Sequence, residues 1–200
     1  MAQAPPLRER LLTASLALVT ERGLAAFSLR QVAGACGVSP GAVYRHFRDK
    51  EDLLTALAEQ GLDLLLGWLA HYEAQAPPDD PLDRFRAVGL ANLRFAFEHP
   101  VHFQLLNNPD YARADRSEAI SAVVAQREAF VNALLEEGAQ AGRLREPAHV
   151  RLAAESMTYG LCRMYVDGHL PGVQTHEQLM ALAEQSFYVL AAGLVPREGE

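Results

Sequence analysis

Lysine is almost missing from this chain: Lys50 is the only one among 200 residues, and every other cation is arginine. Cysteine is scarce as well. Cys36 and Cys162 lie far apart and outside any metal-ligand spacing. They read as small buried residues, which excludes a disulfide scaffold and a cysteine-rich metal centre. No uninterrupted apolar run reaches the roughly 18 residues that a membrane span needs. The longest candidate, around residues 62–70, is broken by Asp63. The opening MAQAPPLRER has no apolar signal core, which predicts a cytoplasmic chain with no membrane partner. Strand signals are nearly absent, and neither an internal repeat nor a low-complexity tract appears. Neither HExxH, nor CxxC, nor a glycine-rich phosphate loop occurs. An enzyme with an apolar helical cavity is a rival class, but it would need such machinery. The expectation is therefore no enzyme, no cofactor and no metal. His99 and His102 are three residues apart with no third ligand at helical spacing, and no role is assigned to either.

What is present is apolar and helical. Half of the residues are apolar, ample for a core. Alanine, leucine, glutamate and arginine dominate, and apolar residues recur at three and four. This predicts an all-α fold of about nine helices, over residues 6–22, 29–36, 40–46, 50–74, 82–98, 100–106, 117–140, 148–168 and 176–192. APPDDP at 76–81 breaks the chain, and residues 107–116 read as loop.

Charge is split unevenly. Residues 1–50 carry seven basic and three acidic residues, whereas the remainder carries eleven basic and twenty-two acidic ones. A small basic head on an acidic body suggests a phosphate-facing module joined to something else. The predicted division is a DNA-binding head over 1–50 and a ligand-binding and dimerisation domain over 51–200.

The head contains two helices joined by a short turn. Ser28 reads as an N-cap, Gln31 completes a capping box, and Phe27 and Val32 stand where a hydrophobic staple closes. Gly37 suits the left-handed turn after the second helix. Ser39 caps the third, with Pro40 at its first position. Small Ala33 fits the crossing, so the pattern is a helix-turn-helix. In the third helix Val43 and Phe47 share an inward face. Gly41 and Arg45 lie opposite, with Tyr44 and His46 on the shoulders. A helix in the major groove needs this: small residues near base edges and polar ones toward the phosphate walls. Lys50 is a misfit, because the macrodipole disfavours a cation at a helix start. A DNA phosphate there would resolve it, as would a solvated lysine neutralised by Asp49 and Asp52.

FSLRQVAGACGVSPGAVYRHFRDKEDLL closely resembles the DNA-binding segment of the tetracycline-repressor (TetR) family of bacterial transcriptional regulators. The resemblance covers residues 11–54, with Ala33, Gly37-Val38-Ser39, Tyr44, Phe47, Lys50 and Leu53 in register. It implies a homodimer whose heads enter successive major grooves of double-stranded operator DNA, controlled by a small molecule. It assigns Tyr44, His46 and Lys50 to phosphate contacts and Arg30, Pro40, Gly41 and Arg45 to the base-reading region. Ser28 and Ser39, at the two caps, complete the DNA-binding set. ANLRFAFEHPVHFQLL and MTYGLCRM look like the TetR C-terminal class named for a Trp-His-Gly motif. Thr158-Tyr159-Gly160 occupies the motif's place, and two of its three positions differ.

In the body, the fifth helix is apolar almost all round but interrupted by Asn92 and Arg94; Tyr159 and Cys162 interrupt the eighth. An apolar cavity with a few polar handles is what a small-molecule site needs. Its candidate walls are Trp68, Leu93, Phe97, Phe103, Phe130 and Tyr159, each of which could equally be plain core. The ninth helix has one stripe through Leu179, Leu182, Ser186 and Val189 and another through Met180, Ala183, Phe187 and Leu190. One packs on the body; the former is expected to face a second subunit. The functional expectation is a ligand-responsive regulator, a repressor released by a small apolar effector of unknown identity. A DNA-binding architectural protein without an effector is the remaining alternative.

Overall fold

The computed structural model describes residues 5–108, 117–144, 146–173 and 175–194. Among these there are nine helices and no strand: α1 Leu7–Ala26, α2 Leu29–Cys36, α3 Pro40–Tyr44, α4 Lys50–Glu73, α5 Pro81–Glu98, α6 Pro100–Leu106, α7 Glu118–Gln140, α8 Pro147–Val166 and α9 His176–Leu194. The all-α expectation holds. Most of the loop expected over 107–116 lies outside the described residues.

Two boundaries differ instructively. Gly23 was expected to stop the first helix. It does interrupt it, at φ 78°, but a further turn follows and α1 continues to Ala26 across the kink. The third helix was expected to reach His46. Its α-helical part ends at Tyr44, and the N–H groups of His46 and Phe47 both close on the Val43 carbonyl, at 2.9 and 3.0 Å. Pro81, expected in a chain break, is the first residue of α5. Asp80 caps that helix, accepting from the backbone of Leu82 and Asp83, and proline at N1 gives up an N–H that no helix would use.

The described residues fall into two compact units, one within 1–62 and 101–120, the other within 63–100 and 121–200. The division expected at residue 50 is therefore displaced into α4. The physical reason is burial: Leu53, Leu54, Leu57 and Ala58 have no exposed surface, so the first half of α4 completes the core of the first unit. α6 joins that unit too. A Cβ on Gly61 of α4 would come within 2.8 Å of the His102 Cβ, so glycine is what lets α6 lie this close. By length and composition α4 could cross a membrane, contrary to the sequence expectation, with a mean hydropathy of 1.3 over its most apolar window; half of that window is buried in the fold.

In the second unit, α5 packs on α8 and α9. Val131, Leu135, Leu144 and Val150 form a buried cluster covered by Leu82, Phe85 and Val88. Arg143 reaches Asp80 at 2.8 Å and holds its carboxyl below the usual carboxylate range, tying the turn after α7 to the start of α5. Phe187 of α9 lies flat against Gly89 of α5, where a Cβ would overlap its ring. Gly67 of α4, by contrast, has nothing within 4 Å of such a Cβ. Gly89→Ala should therefore cost about 1–3 kcal/mol by overpacking. Gly67→Ala should gain up to about 1 kcal/mol from helix propensity. Chemical denaturation of the two variants checks the opposite signs.

Candidate nucleic-acid interface and effector domain

The helix-turn-helix forms from local signals. The Ser28 hydroxyl accepts from the Gln31 N–H at 3.5 Å and donates to Gln31 Oε1 at 2.9 Å, a capping box closed side chain to side chain. Phe27 and Val32 are both buried, as the staple requires. Gly37 is left-handed at φ 67°, and the Val38 N–H returns to the Ala33 carbonyl at 3.0 Å, the Schellman closure. Arg10 adds a brace, with its guanidinium 2.8 Å from the Cys36 carbonyl at the end of α2, where the macrodipole favours a cation. Ser39 occupies the N-cap position of α3, but its hydroxyl makes no capping hydrogen bond, in contrast to the expectation. Pro40 takes the first helical position there.

Val43 and Phe47 are buried, and Arg8 lies 5.5 Å from the Phe47 ring centroid. That fixes which way α3 faces. Tyr44 is 53 % exposed, an unusual position for a tyrosine in a packed head, and Arg45 and His46 are exposed beside it. Arg30, on α2, is exposed as well. A Cβ on Gly41 would meet only Ser39 Oγ, at 4.0 Å. Nothing inside the fold therefore requires glycine at this exposed position.

Lys50 departs from the sequence expectation. Its ammonium donates to the Leu24 carbonyl at 2.6 Å and the Ala25 carbonyl at 3.4 Å, and sits 5.4 Å from the Phe27 ring centroid. Asp49 caps α4, its Oδ1 accepting from the Asp52 N–H at 2.7 Å, while Asp52 accepts from the Arg48 N–H at 2.9 Å.

Gly37-Val38-Ser39-Pro40-Gly41 also spells the Gly-x-Ser-x-Gly of hydrolase nucleophile elbows. That elbow needs a strand before the serine. Here helix α2 precedes it and Ser39 starts the next helix, so the letters carry no catalytic geometry. Among the described residues no three His, Cys, Asp or Glu side chains gather as a metal site.

The six candidate effector-contacting residues are divided. Phe103 lies in the first unit and the other five in the second. Leu93, Phe97 and Phe103 are buried. Phe97 meets the Tyr165 ring at 4.6 Å, and Phe130 lies under Arg84 at 5.3 Å. Trp68 is half-buried, with Arg94 over its ring at 5.1 Å and Tyr72 alongside. Tyr159 is 48 % exposed, so it faces outward rather than into a core. The polar residues of α5 have internal partners. Arg94 pairs with Glu98 at 2.7 Å, and Asn92 donates to the Val88 carbonyl and accepts from Arg127. Cys162 is buried, its thiol pushed up to about 12 by desolvation, so it stays protonated and inert.

On α9 the stripes are redistributed. Leu179 is buried with Ala183 and Phe187, spaced by four on the inward face; it does not share a surface with Leu182 and Val189. Ser186 turns its hydroxyl back to the Leu182 carbonyl at 2.8 Å. What remains outward is Leu182, Tyr188 at 78 % and Val189 at 72 % exposure, together with Leu152, Tyr159 and Met164 of α8. Sequence periodicity missed Leu152 and Tyr188; a large apolar residue among charged neighbours was the available signal.

Residues 11–57 match the profile of bacterial regulatory proteins of the tetR family, and residues 85–187 match that of the tetracyclin repressor-like C-terminal domain. That description does not carry the Trp-His-Gly designation suggested by Thr158-Tyr159-Gly160. The transcriptional repressor KstR2 of Mycobacterium tuberculosis is 27 % identical over 200 residues, covering 96 % of this chain and 94 % of that one. The regulator AcrR of Shigella flexneri is 34 % identical over 86 residues, 43 % of this chain and 40 % of its own. The uncharacterised regulator YerO of Bacillus subtilis is 32 % identical over 80 residues. The chain spans 28 % of YerO and 40 % of AcrR, but nearly all of KstR2. In three dimensions it is similar to the ketosteroid transcriptional regulator KstR2, with a TM-score of 0.72 and 25 % identity over 98 % of both chains. PfmR of Thermus thermophilus shares the fold, with a TM-score of 0.72 at 23 % identity over 97 % and 100 % of the chains.

Proposed function

As the chain belongs to the tetR family of bacterial regulatory proteins and is a DNA-binding transcriptional regulator, we propose that it is a cytoplasmic, dimeric repressor that leaves its operator when a small, largely apolar molecule binds the second unit. The observation that carries the reading is α3: its Val43 and Phe47 face is buried, and Tyr44, Arg45 and His46 stand exposed opposite. Tyr44 and His46 reach phosphates. Arg30 and Arg45 are the long donors for base edges, and Pro40 and Gly41 let the backbone approach. Ser28 and Ser39 lie at the helix starts, where N–H groups favour a phosphate.

One head presents a five-residue α3, too little surface for tight specific binding alone. Two heads spaced to successive major grooves, roughly 34–36 Å or a multiple apart, supply the rest. The exposed apolar residues of α8 and α9 support the pairing of two copies there. Trp68, Leu93, Phe97, Phe130 and Tyr159, with Phe103, remain the candidate effector contacts. That the similar KstR2 is a ketosteroid regulator supports an apolar effector. α4 contributes residues 50–62 to the unit with the heads and 63–73 to the other, so a ligand acting on its second half bears on DNA binding through its first. Linkage requires DNA to weaken the ligand by the same factor.

Arg45→Ala or Arg30→Ala should cost about 1–3 kcal/mol on the operator and relax specificity at one position per half-site. Binding-site selection with each variant measures this; equal losses on operator and random DNA from both would remove direct base reading. Val189→Glu should leave a folded monomer that has lost tight operator binding. Sedimentation of that variant, followed by titration with operator DNA, tests it, and a tight-binding monomer contradicts the dimer.

A further inference from the structure

Lys50 stands at the start of α4, yet the acceptors it meets belong to another part of the head. The start of α4 is already closed by Asp49, and Asp52 accepts from the Arg48 backbone. The Lys50 ammonium instead reaches the carbonyls of Leu24 and Ala25, the shorter bond being 2.6 Å. Those residues follow the kink at Gly23, and their carbonyls belong to the last turn of α1. Carbonyls in the last turn of a helix lack an intrahelical partner. The same ammonium lies over the Phe27 ring, and Phe27 is the outer half of the staple that sets the entry angle of α2. One cation therefore joins the end of α1, the entry of α2 and the start of α4.

Two of the three donors of an ammonium are engaged in this way, and Lys50 itself is half-buried. The macrodipole penalty at the start of α4 is offset by the carbonyls at the end of α1. No phosphate is needed to explain the residue. We propose that Lys50 serves operator binding as a positioning residue: it fixes the α1–α2 corner against α4, and so the direction in which Arg30 and α3 face, without neutralising a phosphate. The inference rests on the DNA-binding reading of the head and departs from the phosphate contact that family resemblance assigns.

The test uses the full chain with Lys50→Met and Lys50→Gln. Methionine keeps the apolar stem and removes charge and donors; glutamine removes the charge and keeps an amide donor for the Leu24 carbonyl. Affinity is measured across salt concentrations for an operator selected by the wild-type chain and for a random duplex, together with amide exchange over residues 24–29. Lys50→Met should lower the operator-to-random ratio roughly tenfold, the scale of one lost hydrogen bond to a charged group. Exchange over 24–29 should accelerate, and the slope of log K against log salt should stay as in the wild type. Lys50→Gln should recover part of the ratio, and it carries the test if Lys50→Met fails to fold. The proposal is overturned if both variants lose affinity equally on operator and random DNA with a slope shallower by about one unit, the signature of a lost phosphate contact. It is equally overturned if neither ratio nor exchange changes. A wild-type chain that selects no duplex would overturn the DNA-binding reading as well.

Discussion

A helix of five residues has no stability of its own, because nucleation costs more than one turn of hydrogen bonds returns. α3 exists because Val43 and Phe47 are buried in the head, and its outer face exists only as the complement of that burial. The remaining features of the head serve this constraint. Gly37 turns the chain left-handed, so that α3 starts at an angle to α2, and Pro40 preorganises its first residue. Arg10 holds the end of α2, and Asp49 stops the chain from fraying between α3 and α4. With the inner face so fixed, Tyr44, Arg45 and His46 have no route back into the core. Their exposure is a consequence of packing on the opposite side.

Charge follows the same partition. Seven of the eighteen cations lie in the first fifty residues, against three of the twenty-five acids. An overall charge of −7 would otherwise argue against a polyanionic partner. In the second unit, arginines are drawn into internal pairs: Arg84 with Glu73, Arg94 with Glu98, Arg143 with Asp80 and Arg151 with Glu155. Those cations are occupied by the fold, whereas Arg30 and Arg45 of the head lie at the surface. The apolar surface left on α8 and α9 is the counterpart in the second unit, exposed by a chain that otherwise buries its large apolar residues.

Much of this was legible in sequence because it is local. The staple of Phe27 and Val32, the cap at Ser28, the left-handed Gly37 and the inward pair Val43 and Phe47 are all patterns within a few residues, and each is met in the structure. What could not be read depends on partners distant in sequence. Lys50 looked like a misfit because its acceptors, Leu24 and Ala25, are about half a head away in sequence and become available only through the kink at Gly23. Leu179 could be placed on either of two helical stripes until α9 packed with Phe187 against Gly89. The boundary between units fell inside α4 because burial of Leu53 to Ala58 continues without any local break. Candidate effector contacts were named by residue type alone, and type does not separate the buried Leu93 from the outward Tyr159.

The claim on which the rest turns is that DNA meets the outer face of α3 and little else. Backbone amide shifts of the full-length chain, followed by NMR during titration with a random duplex at low salt, test it most directly, since non-specific binding uses the same surface. Perturbations should concentrate over residues 28–48 and leave the surfaces of α5, α7, α8 and α9 unmoved. Shifts centred on the second unit, or a head that does not respond while binding occurs, would contradict it.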